Sequence, residues 1–131
     1  MFKHLPLAMH KDAVPAALAS VAAQKQGKFW EFHDKIFADQ RNLKLDAFKK
    51  HAKDVGMDVA RFEKDFLDLG NRKTVDADAA EAAAMGVTGT PGFFINGRYL
   101  SGAKPFEEFA AAINAELNRL GVPLPANAPS D

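Results

Sequence analysis

Asn96-Gly97 constrains this chain more than any other dipeptide, because it lies between Phe93-Phe94-Ile95 and Arg98-Tyr99-Leu100. An Asn-Gly pair supplies the two positive φ angles of a type I′ turn, and aromatic and β-branched runs on both sides make a two-residue β-hairpin. Just upstream, Thr90 precedes Pro91. The proline pushes Thr90 towards extended backbone, and X-Pro is the bond type whose cis form costs only about 0.5 to 1 kcal/mol. The residues alone leave the isomer open. They also leave two readings of Pro91: it starts an edge strand, or it closes a loop, Gly89-Thr90-Pro91, that holds an extended segment beside the hairpin.

At 131 residues, with 47% hydrophobic residues and a formal net charge of +0, the chain can bury a core of its own. Lys and Arg balance Asp and Glu at 17 each and are scattered along the sequence. That pattern argues against nucleic acid or an anionic membrane as partner. No apolar run approaches the roughly 18 residues of a membrane helix, and the opening Met-Phe-Lys-His-Leu-Pro lacks a signal-peptide pattern. The chain has no cysteine, which excludes disulfides, thiolate metal ligands and a dithiol cycle among these residues. The compartment stays unknown.

Punctuation along the chain predicts a strand over 2–7, about five helices, the hairpin and a closing helix. Asp12 can cap a helix over 13–26, with Pro15 in its first turn, Gly27 behind it, and Leu18, Val21 and Ala22 on one face. Phe29, Trp30, His33, Ile36 and Phe37 follow at helical spacing and predict a buried aromatic stripe. Helices over 46–55 and 58–69 each begin at an Asp and end near a Gly, with Phe48, Phe62 and Phe66 expected inside. An Ala-rich helix over 72–85 delivers the chain to the Thr-Pro loop. After the hairpin, Pro105, Glu107 and Glu108 suit a helix N-terminus, Phe106, Phe109, Ile113 and Leu117 line its apolar side, and Gly121 ends it. The proline-bearing 122–131 reads as a flexible tail.

Three blocks carry a resemblance: Phe2-Lys3-His4-Leu5-Pro6-Leu7 with His10, Gln26-Gly27-Lys28-Phe29-Trp30-Glu31-Phe32-His33-Asp34, and Gly86-Val87-Thr88-Gly89-Thr90-Pro91-Gly92-Phe93-Phe94-Ile95-Asn96-Gly97. In this order they resemble the DsbA-like thioredoxin-fold thiol-disulfide oxidoreductases, over about 2–117. The resemblance implies an α/β, truncated thioredoxin-like fold in one domain over 1–121, with a helical insertion over 13–85 between thioredoxin-like parts at 2–7 and 86–121. It implies that Gly89, Thr90 and Pro91 form the cis-proline loop beside which an extended peptide or protein substrate pairs by strand addition. The family's chemistry is done by a thiolate in a Cys-x-x-C motif. That motif and its strand precede the segment that 2–7 resembles, so neither is among these residues. No catalytic residue, cofactor or metal is therefore assigned. For full-length relatives the resemblance implies the bacterial periplasm.

The strand that the family places between segments like 2–7 and 93–95 is absent too. A buried strand contributes several inward side chains at roughly 2 kcal/mol each, which rivals the roughly 5 to 15 kcal/mol stability of a whole domain. Open edges are usually covered, so a homo-oligomer (an intertwined or strand-completed dimer), a rearranged sheet or aggregation is expected. His33 reads as a packed core histidine, and His4 and His10 lack further metal ligands at a useful spacing. Three functions remain open: a DsbA-like oxidoreductase member or fragment inactive in dithiol exchange by itself, a non-catalytic peptide- or partner-binding module, and a glutathione-dependent isomerase or transferase relative.

Overall fold

A computed structural model describes residues 1–125 of the chain, which divide into two compact units between Gly86 and Val87. The part of the expected tail at 126–131 lies outside the described residues. The first unit is helical: α1 (Ala13–Gln24), α2 (Phe29–Ala38), α3 (Leu45–Asp54), α4 (Val59–Phe66) and α5 (Leu69–Ala84). The second holds β1 (Gly92–Ile95), β2 (Arg98–Ser101) and α6 (Phe106–Arg119). The fold is thus mixed α/β and helix-rich, with a two-stranded antiparallel sheet.

Helix ends in the first unit follow from side-chain chemistry. Asp58 accepts a hydrogen bond from the Arg61 N–H at 2.9 Å, and Asp68 from the Gly70 N–H at 2.8 Å, each satisfying an orphan donor of a first turn. Asp68 therefore starts α5 three residues before the expected 72 and splits it from α4. Asp12 occupies the N-cap of α1 without a side-chain cap bond. Gly27 and Gly56 close α1 and α3 with positive φ of 69° and 79°, which lets the Lys28 and Met57 N–H groups reach back to Ala23 and Ala52. Gln26 braces α1 to α4, accepting from the Asp58 N–H and donating to its carbonyl, both at 3.0 Å.

The core forms where alanines meet phenylalanines. Ala19, Ala22 and Ala23 are fully buried and give α1 a flat face, so Phe32, Phe48 and Phe62 fill the space against it. Phe32 lies 5.4 Å from Phe62 and 6.3 Å from Phe48, ring centre to centre. A smaller cluster joins Ala17 and Val21 to Val75 on α5.

Two expectations fail in this unit. Residues 2–7 take no strand, because a strand exists only as part of a ladder and the described residues of this unit offer no partner. Carboxylates of α5 satisfy the segment instead: Asp78 accepts from the His4 N–H at 3.0 Å, and Lys3 pairs with Asp78 at 3.1 Å and Glu81 at 2.9 Å. Secondly, the buried stripe of α2 is Phe32 and Ile36, whereas Trp30 and Phe37 are each 60% exposed. Residues 32 and 36 share one row of the helix, and 30 and 37 share another roughly 130° away at 100° per residue. The expected stripe of Phe29, Trp30, His33, Ile36 and Phe37 leaves out Phe32 and is centred nearer the exposed row.

Truncating Phe62 to alanine should cost about 3 to 5 kcal/mol, as for other fully buried aromatics. Phe37→Ala should stay within about 0.5 kcal/mol, as for surface changes. Urea denaturation of both variants checks the corrected core, and equal losses would contradict it.

Candidate functional site

In the second unit the Asn96-Gly97 turn fixes everything around the Thr90–Pro91 bond. Both turn residues have positive φ, 50° and 85°, as a type I′ turn requires. The register is Gly92 with Ser101, Phe93 with Leu100, Phe94 with Tyr99 and Ile95 with Arg98. In a two-residue hairpin the pair closing the turn is hydrogen-bonded, and bonded and non-bonded pairs then alternate. Ile95 and Phe93 thus spend their N–H and C=O groups on β2. The next position in the series is Pro91, whose carbonyl accepts from the Gly102 N–H at 2.9 Å.

The remaining parity points outward. Gly92 and Phe94 turn their N–H and C=O groups to the free edge of β1. Thr90 lies before the strand, and among the described residues its backbone makes no hydrogen bond to another backbone group. The loop Gly89-Thr90-Pro91 leads straight into that edge; Gly89 is half-buried, Thr90 and Pro91 are exposed, and the Thr90–Pro91 bond is cis. Buried Val87 anchors the chain just before it.

Aromatic rings stand on both faces of the hairpin, Phe93 38% exposed on one and Phe94 and Tyr99 on the other. Phe93 meets Phe109 of α6 edge-on at 4.8 Å between ring centres. On the opposite face Phe94 and Tyr99 lie 5.1 Å apart, 41% and 43% exposed. Tyr99 also leans over Gly92, where an added Cβ would meet its ring at 3.2 Å and the Val87 side chain at 3.0 Å.

A charge clasp holds the turn to α6. Asn96 donates to the Glu116 carboxylate at 2.9 Å, Arg119 Nε donates to it at 3.0 Å, and Arg98 stands 3.7 Å away. The Asn96 bond, then the Arg119 bond, hold the Glu116 carboxyl below its ordinary value of 4.5. Sequence reading used Asn96 for its turn geometry alone and did not find Glu116; with Arg98 and Arg119 known, an acidic partner three residues before Arg119 was the available signal.

Beyond the loop, little is arranged for chemistry. Among the described residues no group of three or more His, Asp or Glu side chains is placed to hold a metal ion. His4 is buried, and that burial pushes its imidazole below the usual value. His33 is stacked on Phe37 at 4.4 Å and meets Asp34 at 3.0 Å, half-buried beside Trp30 and not in the core. His51 is buried with Asp39 3.7 Å from Nε2.

A family model described as a DSBA-like thioredoxin domain matches residues 2–114. The chain belongs to the DSBA-like thioredoxin domain family. Its fold is also similar to that of a thioredoxin-like oxidoreductase from Silicibacter pomeroyi DSS-3, with a TM-score of 0.78 and 22% identity over 88% of this chain and 66% of that one. Among sequence relatives, Na(+)/H(+) antiporter NhaA 3 of Salinispora tropica is 38% identical over 116 residues, 86% of this chain and 18% of that protein. NhaA of Herminiimonas arsenicoxydans is 36% identical over 113 residues, again 86% and 18%. The chain spans about a fifth of the length of these antiporters. Among the described residues no helix is long and apolar enough to cross a membrane.

Because its folded pKa is depressed, Glu116 lends stability above pH 4.5 that is lost as pH falls through its lower folded value. Glu116→Gln should therefore flatten the acid limb of the stability profile. Thermal melts from pH 7 to pH 3 check this; parallel profiles for variant and wild type would contradict it.

Proposed function

We propose that this DsbA-like domain docks extended polypeptide segments at the β1 edge beside Gly89, Thr90 and Pro91, and that these residues perform no dithiol exchange by themselves. The observation that carries the reading is the outward-facing backbone of Gly92 and Phe94 next to the loop, with the Thr90 backbone unpaired among the described residues. Strand addition uses such groups for affinity and neighbouring side chains for preference. Here the exposed Phe94 and Tyr99 favour a segment with an apolar side chain at alternate positions.

Thiol–disulfide exchange proceeds through attack of a thiolate on a disulfide sulfur. The chain supplies no cysteine, so in this reading it contributes the docking half of the family's reaction. The redox-active thiols belong to whatever polypeptide presents them beside the loop. Ion transport belongs to the whole antiporters and is not carried to this chain.

The test has two arms. A fluorescent extended peptide should bind the wild-type chain, and Thr90→Pro, which deletes the unpaired Thr90 N–H, should weaken binding about tenfold, the worth of one hydrogen bond. Thr90→Val keeps the N–H and should bind as wild type. In parallel, insulin reduction with dithiothreitol should run at the uncatalysed rate. Unchanged binding in Thr90→Pro would sink the docking claim, and turnover above background would sink the redox claim.

A further inference from the structure

We infer that His4 is an acid-released latch: its neutral imidazole seats residues 2–7 on the helical unit, and its imidazolium unseats them. The contacts that carry this all lie within residues 2–81.

The deepest residue of the segment is not one of its apolar ones. Phe2 is 46% exposed and Leu5, Pro6 and Leu7 are half-buried, whereas His4 is buried. Its ring stands edge-on to Phe2 at 5.1 Å and to Phe29 of α2 at 6.2 Å, centre to centre. The hydrogen bond that His4 gives Asp78 of α5, 3.0 Å long, comes from its backbone N–H and not from the imidazole. A phenylalanine at this position would seat the segment at any pH. A histidine does so only while neutral, because a buried charge without a bonded partner is costly.

The charges around the ring are already committed to one another. Asp78, its side chain 14% exposed, takes the Lys3 ammonium at 3.1 Å, and Glu81 takes it at 2.9 Å. The bonds to Glu81 and then Asp78 hold Lys3 above its ordinary value, so it stays charged while His4 titrates. From α2 comes His33, across Phe2 and Phe29, with Asp34 3.0 Å from its Nδ1. A proton on His4 is opposed by burial and favoured by the Asp78 charge, and burial prevails, leaving the imidazole below its ordinary 6.5. The seated state therefore takes up protons less readily than the released one. Attachment is complete above pH 6.5, weakens as pH falls from there towards the lowered value, and weakens no further below it.

The test is an NMR titration of the full chain from about pH 7.5 to about pH 5.5. It reads the His4 imidazole and the exchange protection of the His4 amide, whose bond to Asp78 reports the seat. The imidazole midpoint should lie below 6.5. Protection, corrected for intrinsic exchange, should fall about threefold or more across the range. His4→Phe keeps the ring packing and should hold protection at this amide constant. His33→Gln removes the other nearby imidazole and should leave the loss intact. The inference is overturned if wild-type protection stays constant or the midpoint is 6.5 or higher. It is equally overturned if the loss persists in His4→Phe or vanishes in His33→Gln.

Discussion

Among the described residues β1 is paired with another strand on one side only, and its other row of backbone groups faces outward. That imbalance organises the second unit. The Asn96-Gly97 turn decides which residues spend their N–H and C=O groups on β2, and alternation leaves Gly92 and Phe94 facing out. Pro91 continues the inward series with a carbonyl alone, bonded to Gly102, so the missing donor of proline costs the ladder nothing on the outer side. The exposed loop and the exposed edge are thus one feature.

The helical unit solves the complementary problem of packing large rings without a sheet. Buried alanines of α1 create the room, three phenylalanines fill it, and Asp58 and Asp68 set where the chain turns between helices. It leaves a surplus of aromatic surface. Phe2, Phe29, Trp30, His33 and Phe37 touch one another at ring separations between 4.4 and 6.4 Å, with Phe2, Trp30 and Phe37 exposed.

What the sequence revealed depended on how local the physics was. The type I′ turn, the glycine closures at 27 and 56 and the order of helices are written in neighbouring residues, and each is found where expected. Burial of Phe48 and Phe62 followed from periodicity. The segment at 2–7 was misread because strand formation is decided by a distant partner, and its apolar residues carry no information about whether one exists. In α2, six aromatic, histidine or isoleucine side chains within nine residues cover most of the helix, so periodicity blurred and the buried row at Phe32 and Ile36 could not be told from its neighbour. At the site, Gly89, Thr90 and Pro91 were legible as a loop. The edge donors at Gly92 and Phe94 were implied by the turn, since a two-residue hairpin fixes the parity of every residue behind it. The clasp from Asn96 to Glu116 spans 20 residues and required the fold.

The central claim is that β1 pairs inward through odd-numbered residues and remains available through even-numbered ones. Residue-resolved amide hydrogen exchange in dilute solution, with and without an excess of extended peptide, reads this directly. The account predicts that Phe93 and Ile95 are protected in both conditions, while Gly92 and Phe94 exchange freely alone and slow when peptide is added. Protection of Gly92 and Phe94 that does not respond to peptide, or fast exchange at Phe93 and Ile95, would contradict it.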